Sequence, residues 1–174
     1  MAKDISRSTT SSKLSITFFL VIMAYAFYVS CANFYDRTSF SPRNTVRHYG
    51  GNEEKPEGES GYEYNENLLQ EGFFFPKPYR EIVEITHAHA FAIPLIIFVM
   101  SRILSMTLIR DWIKITIYSV AFAGTIMNLS GPWLIRYKSD VFSISLIASY
   151  FSLGFCFIFL ISLPLYEMWF KPKK

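Results

Sequence analysis

Apolar positions in this chain neither alternate with polar ones at a strand's period nor fall on the narrow stripe of a soluble helix. They come in four long runs, at about 14–34, 83–105, 112–134 and 141–166. Each run is membrane-length, since about 20 residues at 1.5 Å rise cross a hydrocarbon core of roughly 30 Å. The expectation is an all-α integral membrane protein, one four-helix domain over residues 1–174 with no soluble domain. Residues 1–13 are short, polar and basic. With the run that follows they resemble a secretory leader, and they are read as the anchor of a retained first helix.

Between the first two runs lies a long polar stretch, 35–80, holding Gly50-Gly51, Pro56, Gly58, Gly61 and Gly72. It reads as an extracytoplasmic loop without secondary structure of its own, and a connection of that length is either functional or ordered by a partner. Its acidic middle, EEKPEGESGYEYNE, offers a docking surface for a soluble basic partner. Phe73-Phe74-Phe75 then suggests contact with lipid or a neighbouring subunit.

Composition strengthens this picture without changing it: 51% hydrophobic and 18% aromatic residues are too apolar for a soluble domain of this size. Charge adds orientation. Lys3, Arg7 and Lys13 precede the first run, Arg102, Arg110 and Lys114 flank the turn between the second and third, and Lys171, Lys173 and Lys174 follow the fourth. Short loops rich in Lys and Arg stay inside, so both termini are expected in the cytoplasm (N-in, C-in). Cys31 and Cys156 are expected at different depths and out of disulfide reach. The basic residues are placed for topology and no nucleic-acid motif occurs, so no nucleic-acid partner is expected.

Candidate chemistry gathers at the start of the second run. An ionisable side chain at mid-membrane costs about 2.5–3.5 kcal/mol, so His87 and His89 ask for a use. Glu81, Glu84 and His87 recur every third residue and share one helix face, whereas His87 and His89 lie about 200° apart, so one helix cannot offer both to one haem. A haem b, a copper or zinc ion assisted by Glu84, or a quinol with His87 or His89 as proton acceptor are the candidate ligands. An intrachain bis-histidine haem would need His48 of the loop folded back over the outer end. Glu84-x-x-His87 occurs once, without the second pair that a di-iron bundle needs. Asn128 and Ser130 of the third run fall at the depth of the histidines, and hydrogen bonding to them, to the carbonyl freed by Pro94 or to lipid is the plain structural alternative. Asn128 to Trp133 reads as the polar break that closes the third run. Ser145, Ser149 and Ser152 mark a helix-packing stripe.

Thr86-His87-Ala88-His89, Gly131-Pro132-Trp133-Leu134-Ile135-Arg136 and Leu163-Pro164-Leu165-Tyr166-Glu167-Met168-Trp169 together resemble a group of small bacterial four-helix inner-membrane proteins, over roughly residues 80–170. The resemblance implies topology and a bacterial inner (plasma) membrane, and it carries no activity. The functional expectation is a membrane subunit of a larger complex, in contact with other integral membrane subunits and with lipid. An electron-transfer or metal-dependent redox role at the outer face suits the histidines, and the chain is not expected to be catalytic alone. The alternative is an accessory or scaffold subunit that binds no cofactor. A stand-alone transporter is disfavoured by the lack of internal repeats and mid-membrane charges.

Overall fold

The computed structural model describes residues 5–51 and 74–170. Among these the chain is helical throughout, with no strand. A short 3-10 turn, Ile5–Arg7, leads into α1 (Thr10–Thr38). Then come α2 (Pro42–Gly50), α3 (Tyr79–Ser105), α4 (Asp111–Tyr137) and α5 (Phe142–Trp169). α1, α3, α4 and α5 are the four membrane spans. At 27–29 residues they run to about 40 Å, longer than the hydrocarbon core, so their polar ends extend into the headgroup layers. This is why each helix outlasts or closely matches its apolar run.

Two expectations need correction. The stretch 35–80 is not without secondary structure: α1 continues to Thr38, and α2 follows at once. The acidic segment and Phe73 fall outside the described residues. The polar break at Asn128 to Trp133 does not end the third span, because α4 continues through Pro132 to Tyr137. Pro132 removes one ladder hydrogen bond, the one to the Asn128 carbonyl, and the helix runs on past it.

Local chemistry sets the ends. Thr9 caps α1, its side chain accepting the Ser12 N–H at 3.3 Å. Ser39 and Phe40 then turn the chain through left-handed backbone, φ 50° and 52°. Ser41 precedes Pro42 at the first position of α2, and Gly51 closes that helix at φ 81°.

The α4–α5 pair is the spine. A Cβ built at Gly124 would lie 2.6 Å from Ser152 Oγ, and one at Gly131 2.8 Å from Leu146, so glycine is what lets these helices approach. Ser149 is buried beside them, as the packing stripe requires. α3 packs on α4 and α5, while α1 packs on α5 and α2. Only 6% of the apolar window of α1 and of α3 is buried, against 33% and 28% for α4 and α5, so the outer pair leaves most of its surface to the bilayer.

The end of the bundle nearest both termini is tied by polar contacts between its elements and connections. Ile5 N–H donates to the Met106 carbonyl (3.0 Å), Lys13 Nζ to Met168 (2.6 Å), Lys114 Nζ to Thr107 (2.8 Å) and Leu108 N–H to the Glu167 carboxylate (2.8 Å). Cys31 and Cys156 are both free thiols. At the opposite end, Phe34, Tyr49, Ile135 and Leu146 form a second core beneath α2.

Candidate functional site

α2 is short and polar overall, yet it buries Thr45 and Tyr49. Those two positions are four apart, so they share the face that rests on the bundle. His48, beside Tyr49, is half-buried under the same helix. The returning segment locks α2 in place: Lys77 N–H donates to the Tyr49 carbonyl (3.1 Å), and the Lys77 carbonyl accepts Arg136 Nε (3.2 Å). The Lys77 ammonium pairs with Glu81.

Beneath α2 lies a cavity of about 210 Å³. α1 supplies Asn33, Phe34 and Arg37, α2 His48 and Tyr49, and α3 Ile85, Thr86 and His89. Asn128, Leu129 and Pro132 of α4 and Leu146 and Tyr150 of α5 complete the walls. Phe34 stacks on Tyr150 at 4.1 Å.

His89 Nδ1 lies 2.7 Å from the Ile85 carbonyl one turn back. In the tautomer that donates there, Nε2 is left as a hydrogen-bond acceptor. Thr86 Oγ1 accepts Trp133 Nε1 (2.7 Å), joining α3 to α4, and Asn128 Nδ2 donates to Ser149 Oγ (3.1 Å), joining α4 to α5. Arg37 Nε donates to Asn33 Oδ1 at 3.1 Å, which orients the guanidinium and leaves its terminal N–H groups.

His48 is pulled down to about pKa 4, first by burial and then by the positive charges of Lys77 and Arg37, with Glu81 acting the other way. Near neutral pH its imidazole is therefore uncharged. Burial also pushes the Tyr49 phenol upward, keeping it protonated.

The two histidines of the Thr86–His89 stretch part company. His89 lines the cavity, whereas His87 is exposed and meets the edge of Phe91 at 5.3 Å. Glu84, on the His87 face, is paired with Arg80 (3.1 Å), and Glu81 with Lys77. Asn128 joins His89 in the cavity walls; Ser130 does not. The loop histidine, His48, is brought over this end of the bundle and shares the cavity with His89. Arg37, Asn33, Tyr49 and Tyr150 are further lining residues that spacing did not single out. Their one available signal was the helix punctuation of Ser41-Pro42 and Gly50-Gly51, which sets a capped helix right after the first span.

Among the described residues no three His, Cys, Asp or Glu side chains converge as a metal site. The cavity is also smaller than the roughly 300–1,000 Å³ that enclose a drug-sized ligand, and a porphyrin is larger still. A haem would have to sit elsewhere. The space suits one small ring, since an engineered cavity of about 150 Å³ holds benzene, or a hydrated ion.

A family model described as a transmembrane helical domain matches residues 39–174. The match covers α2 through α5 and leaves α1, with Asn33, Phe34 and Arg37, outside it. It includes the whole stretch from residue 80 that carried the resemblance in sequence and reaches back across α2. No curated protein and no solved structure matches the chain.

Proposed function

We propose that this chain, which belongs to that transmembrane helical domain family, is a ligand-binding subunit of a larger membrane assembly. It takes a small polar ligand into the cavity beneath α2, at the outer face of a bacterial plasma membrane. The observation that supports this reading is the pairing of His48 and His89, from elements far apart in sequence, on one cavity with Asn128 and Arg37. Water alone can fill such a space, but four helices and a docked lid are more construction than a water cluster needs. The orientation follows from the Lys and Arg distribution, and the nearly unburied faces of α1 and α3 leave room for neighbouring subunits. The binding role assigns catalysis to no residue of this chain. In an electron-transfer assembly the ligand would be a quinol headgroup, a single ring whose hydroxyls the two imidazoles could accept.

Mass spectrometry of small molecules retained by the protein in native-membrane nanodiscs tests the reading. A ligand should co-purify with the wild type and fall at least about tenfold in His89→Leu or His48→Leu, the loss of one good hydrogen bond to a ligand. It should persist in His87→Ala, whose ring faces away. Equal retention in all four proteins would leave the scaffold role standing instead.

A further inference from the structure

The chemistry of the cavity narrows the ligand class, an inference that rests on the binding role above. We infer that it holds a phosphate-type oxyanion, either free or as the headgroup of a membrane lipid, with Arg37 as the anchoring charge. Among the described residues, the cavity walls carry one guanidinium and no carboxylate. Arg37 has five N–H donors, and only Nε is engaged by Asn33. The planar fork that remains is suited to bidentate oxyanion contacts.

The surrounding field has the same sign. The charged groups that act on His48 are Arg37 from α1, Lys77 from the returning segment and Glu81 from α3. Glu81 is paired with Lys77, so among the described lining residues the charge left is that of Arg37. The neutral His48 imidazole and the Asn128 amide add groups that can donate to an oxyanion, the imidazole through its N–H or after protonation. An anion in this space would reverse the electrostatic part of what keeps His48 uncharged, so binding should draw a proton onto it. The location fits as well, since the cavity lies at the helix ends, where lipid phosphates also lie, and Arg37 on the rim is exposed.

The test uses the full chain in phosphatidylcholine nanodiscs. Sulfate, which keeps its charge between about pH 8 and about pH 5, is titrated by calorimetry. In parallel, phosphatidylglycerol retained from mixed nanodiscs is counted by native mass spectrometry. Arg37→Gln should weaken sulfate binding or lipid retention about tenfold or more, while Arg80→Gln, paired on another face, leaves both unchanged. Affinity should rise as pH falls, and His48→Gln should remove that rise. Sulfate binding lost in Arg37→Gln assigns the site to a free oxyanion; lipid retention lost without any sulfate binding assigns it to a headgroup. Binding and retention unaffected by Arg37→Gln would overturn the inference. If a short-chain quinone then binds and is lost in His89→Leu, the ligand-site reading survives with a neutral ligand. If no probe's binding depends on any lining residue, both readings fall.

Discussion

Gly51 holds the sharpest single-residue constraint in the fold. Its φ of 81° lies in left-handed backbone, and a Cβ there would sit 2.7 Å from Pro76 N and 2.8 Å from the Phe74 carbonyl. Gly51→Ala should therefore lower the detergent melting temperature, with about 1–2 kcal/mol from the backbone and more from the clash with main chain that cannot swing away. Gly50→Ala is the control, since its Cβ would meet only Val46 at 3.8 Å and should leave melting nearly unchanged. Lys114 sets a second constraint at the opposite end. Its ammonium donates to the Thr107 carbonyl at 2.8 Å and lies 3.5 Å from Asp111, within the tight connection between α3 and α4. Lys114→Met should cost about 1–3 kcal/mol, because the carbonyl loses its donor where little water reaches it. A melting curve superimposable on the wild type would show that water replaces the ammonium there.

α2 is the element on which the candidate site depends, and its docking should respond to pH through His48. The folded pKa of this residue is lowered to about 4, while an unfolded or undocked histidine titrates near 6.5. A base whose folded pKa is depressed favours the docked state above its free pKa, and that contribution is lost as pH falls from about 6.5 through about 4. Hydrogen exchange over residues 42–50, corrected for intrinsic rates, should therefore show α2 opening more at about pH 4.5 than at about pH 7. His48→Leu should flatten that dependence while Tyr49 still anchors the helix. An unchanged pH response in His48→Leu would place the sensitive group elsewhere. Among the long helices the expected difference is in packing: α4 and α5 meet through Gly124 and Gly131, so Gly131→Leu, which drives bulk into Leu146, should disrupt the spine and reduce folded yield severely.

At the scale of the whole molecule, both described ends of the chain and the α3–α4 connection lie at one end of the bundle, with α2 and the α4–α5 turn at the other. The basic residues collected at the first end predict that it faces the cytoplasm. With Cys31 and Cys156 replaced by serine, an impermeant thiol reagent applied to intact cells should label Ser139→Cys and not Ser105→Cys; the reverse pattern would invert the topology. The subunit role predicts that other integral membrane proteins co-purify in mild detergent. A monodisperse monomer that keeps its ligand would argue that the chain works alone.

The four spans and the free state of the two cysteines were legible in the sequence because each rests on local or one-dimensional facts. A run of about 20 apolar residues must cross a bilayer whatever its neighbours, and its backbone must close its own hydrogen bonds as helix. Asn128 and His89 could be placed at one depth for the same reason, since depth along a helix is counted residue by residue. Which side chains meet around the bundle axis is a different matter. His87 and His89 are two residues apart, and only the packing of α3 on α4 and α5 turned His89 inward to the cavity and left His87 outside. His48 reached that cavity because left-handed turns at Ser39 and Phe40 and a glycine at 51 fold α2 back, a result of tertiary contacts with Tyr49, Lys77 and Arg136 that no spacing encodes. Apolar burial in a membrane sets how deep a residue lies; helix rotation and loop return, set by side-chain shape and a few long-range hydrogen bonds, decide what it faces.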